Sequence, residues 1–134
     1  MPFVIDASVT ASWCFPDEQS AVADVAMDRL LQDEAIAPAL WTVELRNILV
    51  VNERRKRIEP ADSDAFLRDL ARLPIRVRRD ADERTLLGLA RKHGLTAYDA
   101  AYLNLAVRAG IPVATRDRLL AKAVRAEGLP LVGE

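Results

Sequence analysis

The chain has 134 residues, about half of them apolar, which is enough for one domain with a substantial core and too short for two. A formal net charge of −1 gives no whole-molecule attraction to nucleic acid, so any such role has to rest on a local basic patch. The single cysteine, Cys14, excludes an intramolecular disulfide and any Cys/His zinc spacing, a usage that suits a reducing cytoplasm.

No leader-like stretch opens the chain, and no apolar run approaches the roughly 18 residues of a membrane span. A soluble, unprocessed protein with no membrane association is expected. The run "FVID" reads as a short buried parallel strand that delivers Asp6 at its end. A brief helix, "ASVTASWC", follows and is interrupted at Pro16. From Asp17 to Asp33 the positions Val22, Val25, Ala26, Leu30 and Leu31 fall near helical spacing and predict an amphipathic helix. "AIA" before Pro38 predicts a second strand. Leu40 to Arg57 predicts a strong helix with Leu45, Ile48, Leu49 and Val51 inward.

Pro60 fits the first turn of another helix, "PADSDAFLRDLARL", closed by Pro74. "IRVRR" alternates like a strand. "DADERTLLGLARKHG" starts with acids and ends with cations and glycine, matching the helix dipole at both ends. His93, the only histidine, belongs to that helix end and receives no catalytic role. "LTAYDAAYLNLAVRAG" predicts a buried helix between Thr96 and Gly110, "IPVAT" a strand, "RDRLLAKAVRAEG" a helix and "LPLV" a last strand. Strands alternating with helices predict an α/β fold with a mainly parallel sheet.

Four acids stand out. Ligands of open parallel sheets sit outside the carboxyl ends of the strands, where Asp6 and Asp117 fall. Each also precedes a helix, and aspartate is a favoured N-cap. Asp99, three residues after Thr96, fits a reciprocal capping pattern, yet its neighbours one turn away include Leu95, Tyr102 and Leu103. Glu44 is surrounded at helical spacing by Leu40, Trp41, Asn47 and Ile48, with no local cation, so its carboxylate needs a partner from elsewhere. A buried arginine pair would meet that need. A shared cation would meet it for all four, since two such charges 4 Å apart repel by roughly 4 kcal/mol at an effective dielectric of about 20. Oxygen-only ligands favour magnesium, or manganese, bound by one or two carboxylates directly and by the others through water. Such a site suits phosphodiester hydrolysis. Thr115 and Ser8 would bring hydroxyls to the same strand ends, though both residue types also favour caps and turns.

Read in order, "FVIDAS", the glutamate of "WTVELRNIL", "LTAYDAAYLNLA" and "PVATRDRLL" resemble the signature of the PIN domain, and specifically of the VapC toxins of bacterial VapBC toxin–antitoxin modules. The likeness spans nearly the whole chain. It implies one PIN domain over residues 1–134, a three-layer α/β/α sandwich, and a magnesium-dependent endoribonuclease that cuts structured RNA such as transfer or ribosomal RNA. It further implies a homodimer, held inactive by a small VapB-like antitoxin whose C-terminal segment reaches the active site. Carried over by residue, Asp6, Glu44 and Asp99 match the three central acidic positions, Asp117 the fourth and Thr115 the hydroxyl before it. This makes Asp6, Glu44, Asp99 and Asp117 the expected metal ligands and, with Thr115, the expected catalytic set.

The RNA-contacting surface is not part of that signature. Ser8 and Arg116 are the substrate-binding candidates, and two basic stretches, "NERRKRIE" and "RVRRDADER", offer phosphate contacts, although basic runs are commonly solvated faces. Trp13, Trp41, Tyr98 and Tyr102 are expected in the core or at a dimer contact. Among other readings, haloacid dehalogenase phosphatases need a second aspartate where Ser8 stands, and receiver domains need a lysine at a strand end where Lys122 is helical. A non-catalytic α/β binding module and a metal-dependent phosphohydrolase or nuclease acting on DNA stay open.

Overall fold

The computed structural model describes residues 1–18 and 20–134. Its elements run β1 (Phe3–Ile5), α1 (Ala7–Ser12), α2 (Ala21–Arg29), β2 (Ala35–Pro38), α3 (Leu40–Arg54), α4 (Pro60–Leu70), β3 (Ile75–Arg78), α5 (Glu83–His93), α6 (Ala97–Ala109), β4 (Val113–Ala114) and α7 (Arg118–Ala126). The four strands form one sheet in the order β3-β2-β1-β4 with every pairing parallel. Val4 sits opposite Ile36 on one side and Val113 on the other, so β1 is central and its three apolar residues are fully buried.

Helix α6 lies against β1, β2 and β4, with α5 and α7 packed on it, while α1 packs against α2 and α3 and α2 reaches β4. The sheet is thus the middle layer of a three-layer α/β/α sandwich. Burial of Ala100 through Ala106 on α6 explains its lack of a polar stripe, because an element covered on nearly all sides has no face to leave wet. Thr96 caps its first turn, and Gly110 closes it at φ 67°, where a side chain would be disfavoured.

From β1 the chain moves to β2 and β3 on one side, and only β4 returns to the other. This reversal makes the gap between β1 and β4 the topological switch point, beside which ligands of open parallel sheets bind.

Three expectations change. The helix predicted from Asp17 to Asp33 is observed as α2 over Ala21–Arg29, capped by Ser20 and buried through Ala23 and Ala26, with Leu30 as its C-cap. Leu31 is 85% exposed and Val25 is also exposed, so their spacing does not define the packed face. Helix α3 stops at Arg54, with Arg55 as C-cap, and Lys56 at φ 59° then turns the chain away. "LPLV" contributes a single parallel bridge, Leu131 to Val113, in place of a full strand.

Candidate active site

The loop leaving β1 turns sharply at Asp6, whose carboxylate Oδ1 accepts the Val9 backbone N–H at 3.0 Å and so caps α1. The Ser8 hydroxyl donates to the same oxygen at 2.7 Å, and the Thr115 hydroxyl donates to Oδ2. Asp6 is only 5% exposed. Burial dominates its acidity and pushes its pKa up to about 6, with the Asp99 charge adding to the rise while the donors from Thr115, Val9 and Ser8 oppose it. Capping and membership of an acid group are therefore both true of Asp6.

Thr115 follows β4 and ties the two strand ends together. Its oxygen accepts the Asp117 backbone N–H at 2.9 Å while its proton goes to Asp6. Asp117 caps α7 through the Leu120 N–H at 2.9 Å. Ser8 makes a parallel link, accepting the Arg116 backbone N–H at 3.3 Å.

Asp99 lies in the first turn of α6, where the Thr96 hydroxyl oxygen accepts its backbone N–H at 3.1 Å. Its half-buried carboxyl titrates above the usual range, first because of burial and then through Asp117 and Glu44. Glu44 projects from α3, and its Oε1 accepts a hydrogen bond of 2.6 Å from the Tyr102 hydroxyl of α6. The partner that the Glu44 neighbourhood demanded is thus a phenol. The sequence places Tyr102 only in the core or at a dimer contact, but a buried tyrosine needs a mate for its hydroxyl, and that is the signal pointing to Glu44.

Glu44 also lines an open cleft of about 440 Å³ with Leu40, Val43, Asn47 and Tyr98. Tyr98 is 66% exposed, so it is not a core residue within the chain. Trp41, in contrast, is buried and donates its indole N–H to Thr10, while Trp13 donates to the Ala23 carbonyl.

Electrostatically the acids act on one another: Asp99 on Asp6, and Asp117 and Glu44 on Asp99. Among the described residues no lysine, arginine or histidine forms an ion pair with any of the four. The cations of the two basic stretches are partly engaged elsewhere: Arg57 with Asp17 and Glu18, Arg76 with Glu34, and Arg78 with Asp80. Arg116 is exposed on the rim, 3.9 Å from Glu18. His93 meets Glu127 at 2.7 Å, a contact between α5 and the end of α7.

Among the described residues no three His, Cys, Asp or Glu side chains close into a ready-made metal cage. The donor set, all carboxylate and hydroxyl oxygen and without a compensating cation, fits a hard ion such as magnesium.

The family model described as PIN domain matches residues 3–126, and the chain belongs to that family. Within it, the similarity is to VapC ribonucleases: the chain is 32% identical over 125 residues to Ribonuclease VapC3 of Pyrobaculum aerophilum, covering 91% of this chain and 94% of that protein. The crystal structure of PAE2754 from the same organism superposes with a TM-score of 0.70 at 25% identity, over 92% of this chain and 87% of the other.

Proposed function

We propose that the protein is the toxin of a toxin–antitoxin module and acts as a magnesium-dependent endoribonuclease, with manganese as an alternative ion, on structured RNA of the transfer or ribosomal class. The observation that carries this reading is the group of Asp6, Glu44, Asp99 and Asp117 beside the switch point between β1 and β4, mutually repelling and without a cationic partner among the described residues. Such a group opposes folding unless protons or a metal ion offset it. The similarity to a protein named as a ribonuclease supports the choice of RNA.

A divalent ion bound there supplies charge neutralisation at the scissile phosphate and activation of water. Within the chain, Asp6 offers a carboxylate whose direction is set by three donors, and Thr115 holds it in register with Asp117. Glu44, Asp99 and Asp117, half-buried, complete the ligand set directly or through water. Without an ion Asp99 is held above the usual carboxylate range by burial and by Asp117 and Glu44, a charge conflict that a divalent ion would relieve. Arg116 on the rim takes an RNA phosphate, with Ser8, whose proton goes to Asp6, accepting the Arg116 backbone N–H and so steadying it, and the cleft with Tyr98, Val43 and Leu40 gives an unpaired base an apolar and aromatic surface beside Glu44.

The partners on this reading are a VapB-like antitoxin and a second copy of the chain as homodimer, working in the cytoplasm. Among the described residues no helix is long and apolar enough to cross a membrane. A short reading frame just upstream of the gene is the expected mark of the antitoxin.

The test is cleavage of transfer and ribosomal RNA by purified protein with magnesium, with manganese and with a chelator, alongside Asp6→Asn and Asp99→Asn. Cleavage that needs the ion and drops at least 100-fold in both variants is expected. Unchanged cleavage in the variants, or none by the native protein with either ion, overturns the assignment; cutting confined to DNA overturns the choice of substrate.

A further inference from the structure

The contact between Tyr102 and Glu44 joins two elements that are otherwise held separately. Helix α6 is anchored on β1, β2 and β4, whereas α3 packs mainly against α1. The Tyr102 ring is 2% exposed, so its hydroxyl occupies a fixed point in space. That hydroxyl donates to Glu44 Oε1 at 2.6 Å, so one atom of the buried α6 holds the Glu44 side chain of α3.

We propose that Tyr102 is a positioning residue: its hydroxyl selects the Glu44 rotamer, and so fixes the carboxylate that Glu44 presents to a divalent ion. The inference rests on the metal-dependent reading above. Glu44 is half-buried at the edge of an open cleft, and a free glutamate side chain loses appreciable rotamer entropy on being fixed. Paying that cost beforehand favours ion binding.

The choice of a phenol has a chemical reason. An arginine or lysine at this place would also hold Glu44, but its charge would cancel the negative field that attracts the ion. A neutral hydroxyl orients one carboxylate oxygen and leaves the second unused by Tyr102. The phenol is the donor of the pair, because an ionised carboxylate can only accept.

The alternative is a core tyrosine whose hydroxyl merely found the nearest acceptor. Manganese affinity in the absence of RNA, read by calorimetry, separates the two, with the melting temperature of the metal-free protein as the structural control. Tyr102→Phe removes one oxygen and keeps the ring; Glu44→Asp keeps the charge but draws it back from the hydroxyl, and so tests the contact from the other side should the phenylalanine variant fold poorly. Each is expected to weaken manganese binding about tenfold, and the double variant no more than the weaker-binding single. Melting of the metal-free Tyr102→Phe protein should stay within a few degrees of native. Native manganese affinity in Tyr102→Phe, together with weakened binding in Glu44→Gln, overturns the positioning role and leaves the metal site standing. Losses that simply multiply in the double variant also overturn it. Absence of manganese binding by the native protein removes the metal-dependent reading itself.

Discussion

The Thr115 hydroxyl and the Asp6 carboxylate, 109 residues apart in sequence, are bonded to each other at the ends of neighbouring strands. The same hydroxyl oxygen receives the Asp117 N–H. Thr115→Val keeps the shape and removes both bonds. A hydrogen bond to a buried charged group contributes about 1.5–3 kcal/mol, so urea unfolding at neutral pH should show a loss of that order. RNA cleavage should fall at least tenfold. A variant as stable and as active as the native protein would show that the bond is incidental.

Asp6 also sets a pH dependence. Its folded-state pKa of about 6 lies above the 3.8 of an exposed aspartate, so the folded protein holds this proton more tightly than the unfolded chain. Stability of the metal-free protein from this group is greatest below pH 4, is lost as pH rises toward 6, and levels off above it. The total is roughly 3 kcal/mol at 1.36 kcal/mol per unit. Asp99 contributes in the same direction. Asp33, Asp80, Asp82, Glu127 and Glu134, whose pKa values are lowered, act oppositely as pH falls through their own folded values. The difference in unfolding free energy between Asp6→Asn and native protein isolates the term: it should grow in favour of the variant from pH 4 to 6.5 and then stay flat.

Charge relief at the acids gives a third expectation. Asp99→Asn should melt higher than native protein in chelator, since Asp117 and Glu44 then face one negative charge fewer. Magnesium should raise the native melting temperature and raise that of the variant much less, because a ligand that binds only the folded form stabilises it by about 2.7 kcal/mol at 100 times its Kd. Four identical melting curves would contradict a shared field among these acids.

For RNA contact, Arg116 and Arg76 make a matched pair. Among the described residues Arg116, on the site rim, makes a single long ion-pair contact, to Glu18, whereas Arg76 is paired with Glu34 at 2.9 Å on the edge strand β3. Arg116→Ala should weaken RNA binding several-fold and reduce the salt slope by about one. Arg76→Ala should leave both unchanged, and an equal effect of the two would assign the binding to diffuse charge.

Much of the architecture was legible because its signals are local. The cap and glycine around α6, the proline opening α4 and the apolar runs of β1 and β2 each announce themselves within a few residues. Asp6, Thr115 and Asp117 were legible as a neighbourhood, since strand ends of a parallel sheet gather. What stayed hidden depends on distance in sequence: the strand order that puts β4 beside β1, and the pairing of Tyr102 with Glu44, 58 residues away. The Asp17–Asp33 reading held only in part for a related reason: Ala26 and Leu30 are buried as expected, but the packing partners also take in Ala23 and leave Val25 and Leu31 outward, which periodicity alone does not decide.

The central place of β1 has a consequence for synthesis. Strand β1 is flanked on one side by β2, but its other edge waits for Val113 and Ala114, which are made long after it. Until then the growing polypeptide carries an open strand edge, the Val4 and Asp6 N–H groups lacking their Pro112 and Ala114 carbonyls, and an Asp6 deprived of Thr115. A translation product that stops before β4 should therefore be inert toward RNA and prone to aggregate, so that a cell interrupted while making this protein is not exposed to a half-finished nuclease.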